Sequence, residues 1–212
     1  MDSSNGFLYM LKFVYNICQI FICAYFSVEA FMIAYRNSYS FACNSYDQNN
    51  PAVANLMWLF YLSKIFDFFD TVFIVLGKKW KQLSFLHVYH HFSVLLICWL
   101  QLKVLYDGDS YLFIMLNAFI HTVMYTYYFI CMHTKNPETG KSLPIWWKSS
   151  LTMMQMIQFM TLMSSGVYAY LNDCDGYNHQ VSSLCVWYTA SLLLLFAVFF
   201  VGSYGKKKRK KI

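Results

Sequence analysis

Lys64, Asp67, Asp70 and Thr71 stand together in the string KIFDFFDT, and His87, His90 and His91 follow in HVYHH. Further along, His121, Tyr125 and Tyr128 occupy HTVMYTYY, and Thr152, Gln155 and Gln158 occupy TMMQMIQ. Offsets of three, four and seven put the members of each string on one face of a helix. A neutral imidazole is a nucleophile or base near neutral pH, and a neighbouring carboxylate sets its tautomer. A single buried histidine is more often a hydrogen-bonded core residue than a catalyst. Four histidines, two carboxylates, a lysine and two glutamines gathered at one depth weigh the other way.

The elements that must hold these strings are set by composition. Of 212 residues, 58% are hydrophobic, 21% aromatic and only 12% charged, about half the charge of a soluble domain. Six segments are long and apolar enough for membrane helices: Phe7–Tyr35, Val53–Leu76, Leu83–Tyr106, Tyr111–Cys131, Ile145–Tyr170 and Val181–Tyr204. All three prolines, Pro51, Pro137 and Pro144, fall in the connectors. Helices are expected rather than strands, because open sheet edges are not satisfied in lipid. The expectation is one transmembrane domain over residues 1–205 and a basic tail over 206–212.

The net charge of +6 belongs to that tail, KKKRKK at 206–211. A nucleic-acid-binding face would spread basic residues over a folded surface, so no nucleic-acid partner is expected. Connectors two and four hold Lys78, Lys79, Lys81, Lys135 and Lys141, with Lys148 beside them. Connectors one, three and five hold Arg36 as their sole basic residue and carry Asp47, Asp107, Asp109, Asp173 and Asp175. The positive-inside rule then predicts cytosolic termini at both ends of a multi-pass chain. Cys43 and Cys174 lie in connectors on the opposite side, where an oxidising compartment permits a disulfide; two free thiols is the competing reading.

Depth brings the strings together. Asp70 lies about 10 Å inside from the Gly77 end of its helix, and His90 lies at a similar depth from the same connector. Ionisable groups inside spans are costly and usually functional. Three functions compete for them. A di-iron oxygenase needs more ligands than the 6 histidines present supply. A transporter of a small solute or lipid would show related halves or Gly/Pro-broken helices, and helices three to five carry no proline. Acyl chemistry on a lipid-borne substrate suits a histidine cluster opening toward cytosolic acyl carriers.

LSFLHVYHH resembles the histidine box of the fatty-acid elongase (ELO) family, the membrane 3-ketoacyl-CoA synthases. KIFDFFDT is similar to the family's Lys-x-x-Glu-x-x-Asp-Thr box, HTVMYTYY to its His-x-x-Met-Tyr-x-Tyr-Tyr box, and TMMQMIQ to its Thr-x-x-Gln-x-x-Gln box. Four boxes in the family's order extend the resemblance over the chain from Phe7 onward. FDTVFIVLGKKWKQLSFLHVYHH looks most like the polyunsaturated fatty-acid elongases of microalgae and related lower eukaryotes. Asp67 departs from the pattern, standing where the family usually carries glutamate. Family members typically have seven helices, and helix one here corresponds to their second, so the family's first helix is expected to be absent.

The resemblance implies an all-α polytopic fold, six helices forming a barrel around a narrow acyl tunnel. It implies a Claisen condensation of a long-chain, polyunsaturated acyl-CoA with malonyl-CoA, giving 3-oxoacyl-CoA, CoA and carbon dioxide without a cofactor or a metal. His90 would carry the acyl group, with His87, His91 and His121 orienting it, moving protons or binding the carbanion. Asp67 and Asp70 would hold imidazole tautomers, Lys64 would balance them or meet a carboxylate, Tyr125 and Tyr128 would complete the polar layer, and Gln155 and Gln158 would serve the substrate oxygens. Lys79, Lys81, Lys141 and Lys148 would meet the CoA phosphates, topology signalling being the plainer role. The tail resembles a dilysine retrieval signal, with Lys210 and Lys208 at −3 and −5, implying the endoplasmic reticulum membrane; attraction to anionic lipid is its alternative. Expected partners are the lipid bilayer and the reductases and dehydratase of the elongation cycle, with room for a homodimer.

Overall fold

A computed structural model describes residues 3–45, 49–104, 108–134, 143, 145–174 and 179–205. Among these, regular structure is helical: α1 (Ser3–Arg36), α2 (Ala52–Phe66), α3 (Phe68–Leu76), α4 (Phe85–Val104), α5 (Ser110–His133), α6 (Lys148–Leu171) and α7 (His179–Phe200). A 3-10 turn over Trp80–Gln82 precedes α4, and a π-helical turn over Val201–Gly205 follows α7. The expected second span is interrupted. α2 stops at Phe66 and α3 restarts at Phe68, with Asp67 between them at φ −61° and ψ −19°. Run end to end, the two still rise roughly 37 Å, enough for a hydrocarbon layer of about 30 Å.

α1, α4, α5 and α7 are each long and apolar enough to cross a membrane on composition alone. α6 has the length, at 24 residues, but its Thr, Gln and Ser side chains dilute its hydropathy. α2 and α3, at 15 and 9 residues, are each too short to cross alone because the span is interrupted at Asp67. Phe21, Phe31, Trp187, Leu194 and Val198 point outward from α1 and α7, as side chains facing lipid do. The chain is an all-α polytopic membrane protein.

The rods close into a ring in which α1 packs on α2, α2 on α4, α4 on α7, α7 on α6, α6 on α5 and α5 back on α1. The ring is unevenly filled. Phe26 and Ala30 of α1, Leu56 and Phe60 of α2, Cys98 of α4 and Ile114 of α5 share one buried apolar cluster. Between α4, α5, α6 and α7 lies instead a cavity of about 110 Å³, lined among others by Ile97, Gln101, Phe113, Leu162, Ser182 and Tyr188. Hydrogen bonds stitch the α4–α7 seam, Tyr89 to Ser191 at 2.8 Å and Ser93 to Tyr188 at 3.2 Å. At Gly166 of α6 a Cβ would come within 2.8 Å of Val186 on α7, so this approach depends on glycine.

One end of the ring is tied shut. Asp109 precedes α5 yet does not cap it with its side chain. Its carboxylate accepts the main-chain N–H groups of Cys43 and Asn44 at 2.9 and 2.8 Å, and the Asn44 amide at 2.6 Å. Gly108 N–H donates to Asn44 C=O, and a Cβ there would meet Asn44 at 2.7 Å. Ser165 of α6 donates to Phe41 C=O, and Cys43 is bridged to Cys174 with Cα atoms 5.3 Å apart. The connector after α1 is thereby fastened to α5, α6 and the turn before α7.

A bridge closing a loop of 131 residues constrains the unfolded chain, and its removal is expected to cost about 2–4 kcal/mol. A Cys43→Ser/Cys174→Ser variant in detergent should therefore melt several degrees below the wild type. Reductant should lower the wild-type Tm to the variant's value and leave the variant's unchanged.

Candidate functional site

α4 opens one short turn after α3 ends, so the first turns of α4 lie beside α3. Thr71 Oγ1 of α3 and His87 Nε2 of α4 share a hydrogen bond of 2.9 Å. From there the histidines form a row. Ring centroids lie 4.3 Å apart for His87–His91, 5.6 Å for His91–His90 and 6.3 Å for His90–His121, the last pair nearly parallel at 22°. The row ends on Tyr125, 5.9 Å from His121 and one helical turn further along α5. Phe68 borders His91 at 6.2 Å and Phe196 of α7 borders His90 at 6.3 Å, so apolar rings flank the row.

Beside the row sits a charged network. Lys64 Nζ donates to Asp67 Oδ2 at 3.0 Å and to Asn117 Oδ1 at 3.2 Å, and lies 4.3 Å from the centre of the Phe60 ring. Both members of the ion pair are buried, which is tolerated only because each has further partners. Gln19 of α1 donates to Asp67 Oδ1 at 2.9 Å and to the Tyr15 hydroxyl at 3.0 Å. Tyr125 donates to Asp70 Oδ2 at 2.8 Å.

The expected contact of Asp67 and Asp70 with imidazoles is not found among the described residues. Asp67 is taken by Lys64, three residues before it, and by Gln19 of α1, and Tyr125 reaches Asp70 first. Thr71, a member of the same box, makes the hydrogen bond to a histidine instead. Lys64 does balance a carboxylate, and that carboxylate is Asp67. His87, His90, His91, His121, Lys64, Asp67, Asp70 and Tyr125 are thus brought into one continuous region. Gln158 is buried and its Nε2 has no hydrogen-bond partner among the described residues, as holds for His121 Nδ1, while Gln155 is half-buried. Tyr128 stands at the edge, its ring 6.0 Å from Tyr125 and its side chain partly exposed. Among the described residues, no three His, Cys, Asp or Glu side chains gather around a common point as a metal ion would need.

Lys79 and Lys81 are exposed on the turn between α3 and α4, and Lys148 is exposed at the start of α6. Lys141 and the basic tail residues 206–211 lie outside the described residues. Lys12 of α1 is half-buried near the same turn, its Nζ 5.8 Å from the Phe73 ring. Sequence reasoning missed Tyr15, Asn16 and Gln19 in VYNICQI, as well as Asn117. The signal was there: Asn16 and Gln19 are carboxamides in an otherwise apolar span, and Asn117 precedes His121 by four residues on the same helical face.

The model of the GNS1/SUR4 (ELO) family matches residues 1–212. The chain belongs to the ELO family of fatty-acid elongases. It is 35% identical over 201 residues to very long chain fatty acid elongase 2 of Mus musculus, covering 93% of this chain and 67% of that protein. It is 32% identical over 206 residues to very long chain fatty acid elongase 4 of Homo sapiens, covering 95% and 64%. With very long chain fatty acid elongase 7 of Rattus norvegicus the identity is 34% over 200 residues, covering 92% and 70%. This ELO chain spans about two thirds of the length of the curated relatives it matches.

Breaking a buried ion pair from one side strands the other charge. Lys64→Met is expected to lower stability by about 3–5 kcal/mol, whereas Lys64→Met/Asp67→Leu should recover most of the loss. Thermal melts of the purified variants in detergent, followed by size-exclusion elution, read both outcomes.

Proposed function

We propose that this chain catalyses the condensing step of fatty-acid elongation, joining a long-chain acyl-CoA to malonyl-CoA. The observation that carries the reading is the unbroken row of His87, His91, His90 and His121, which ends on Tyr125 beside two carboxylates. A nitrogen of His90 attacks the acyl thioester carbon. The carbon–sulfur bond breaks, and CoA leaves as its thiol after taking a proton. The acyl group is then held on the imidazole. Malonyl-CoA loses carbon dioxide, and the resulting enolate attacks the acyl carbon, forming the new carbon–carbon bond and freeing His90. The product is a 3-oxoacyl-CoA two carbons longer.

His87, fastened by Thr71, and His91 pass protons along the row, and His121 lies parallel to the reacting ring. The Nε2 of Gln158, without a partner among the described residues, is a donor for a substrate oxygen. The growing chain runs from the row toward the cavity between α4 and α7. The exposed Lys79, Lys81 and Lys148, with Lys141, offer charge to the CoA phosphates at the opposite end. No cofactor or metal is needed for this chemistry. The FDTVFIVLGKKWKQLSFLHVYHH stretch favours a polyunsaturated acyl group. In this reading the protein sits in the endoplasmic reticulum membrane with both termini cytosolic, beside the reductases and dehydratase that consume its product.

His90→Ala should lower elongation of eighteen- and twenty-carbon polyunsaturated acyl-CoA by about a thousandfold or more, with normal amounts of inserted protein. Radiolabelled malonyl-CoA incorporation in microsomes measures it. Near wild-type incorporation would remove His90 from the chemistry. For the topology, a glycosylation acceptor inserted near Asn178 should be modified in microsomes, and one near Lys79 should not.

A further inference from the structure

Gln19 is 2% exposed in the middle of α1, and no box contains it. Three acceptors surround its Nε2: Asp67 Oδ1 at 2.9 Å, the Tyr15 hydroxyl at 3.0 Å and the Tyr125 hydroxyl at 3.4 Å. The carboxylate accepts only, so the atom facing it must be the amide nitrogen. That nitrogen has two hydrogens, and the two shorter contacts take them. Tyr125 has a choice of its own, since its hydroxyl lies 2.8 Å from Asp70 Oδ2 and 3.4 Å from Asp67 Oδ1.

We propose that Gln19 is a positioning residue which occupies Asp67 Oδ1 and so keeps the Tyr125 proton on Asp70, holding the Tyr125 ring against His121. Lys64 already takes Asp67 Oδ2. With the Gln19 amide on the other oxygen, Asp67 offers Tyr125 little. Without that amide, Asp67 Oδ1 becomes a buried carboxylate oxygen with no strong donor, and the Tyr125 hydroxyl is the nearest group able to supply one. Satisfying it draws Tyr125 from Asp70, and the ring 5.9 Å from His121 moves with it. Tyr15 holds Gln19 in turn, because its hydroxyl accepts the second amide hydrogen. A residue outside every motif thus sets the end of the histidine row. The inference rests on the elongase reading of the site.

Length complementarity tests it. Gln19→Asn withdraws the amide by one methylene, and Asp67→Glu extends the carboxylate by one. Gln19→Asn alone should lower kcat about tenfold or more, with KM for acyl-CoA within about threefold of wild type. Asp67→Glu alone should also lose activity, because the longer acid crowds the intact Gln19. The double variant should return to within about threefold of wild type. A purely structural role for Gln19 would lower the yield of folded protein and leave kcat per folded molecule unchanged. Tyr15→Phe, which deletes the hydroxyl that holds Gln19 and also lies 3.3 Å from the Tyr125 hydroxyl, should lower kcat by a smaller factor. A double variant no better than the product of the singles, or wild-type kcat in Gln19→Asn, overturns the proposal. If Gln19→Asn does not fold, wild-type kcat in Tyr15→Phe overturns it. A wild-type chain that elongates nothing refutes the proposed function and the positioning role together, whereas an active wild type with insensitive variants refutes Gln19 alone.

Discussion

Lys64 and Asp67 form an ion pair 3.0 Å long inside the ring, and much of the surrounding structure is what such a pair requires. A charge taken out of water costs several kcal/mol, and mutual attraction repays this only when the remaining donors and acceptors are also met. No single helix can meet them. The lysine takes Asn117 from α5 and the face of Phe60, and the aspartate takes Gln19 from α1. The pair therefore holds α1, α5 and the α2–α3 joint in one register. The helix break at Asp67 lies at the same place, where the carboxylate reaches Gln19 on α1.

That register decides what stands next to the histidines. Tyr125 belongs to both systems: its hydroxyl ends the charged network on Asp70, and its ring ends the row that runs through His121 and His90 to His87. Charge is held on one side of this tyrosine and imidazoles on the other. In the proposed condensation the division is useful, because the histidines exchange acyl groups and protons while the fixed charges hold their geometry. Thr71 fastens the far end of the row to α3, so both ends of the row are tied to the same interrupted rod.

The ring is asymmetric for a related reason. Where α1, α2, α4 and α5 meet, apolar side chains fill the interior beyond the polar network, and this packing supports the buried charges. Where α4 to α7 meet, the interior is open and the α4–α7 seam is made of hydroxyl contacts. The Asp109 clamp and the Cys43–Cys174 bridge tie α5, α6 and the turn before α7 to the connector after α1. One half supplies rigidity and the other supplies room, and both are fastened at the end away from the exposed lysines.

Local patterns in the chain were enough for the rods and for the faces of the boxes. Hydropathy and a 3.6-residue period are properties of short segments, and α1, α4, α5 and α7 follow the expected spans closely. KIFDFFDT, HVYHH and HTVMYTYY each present one face for the same reason. The α2–α3 break was not legible, since FDFF continues a helical pattern on both sides of Asp67. Nor was the pairing of groups between rods. Gln19 meets Asp67 across 48 residues, and Tyr125 meets Asp70 across 55. By sequence alone, a carboxylate was the natural partner for an imidazole. In the folded ring Lys64 lies one turn from Asp67 and Tyr125 reaches Asp70, so threonine takes that place. Residue types and helical period determined which groups face inward; only the packing of one rod on another decided which of them touch, because a buried polar group bonds to the nearest partner that the ring provides.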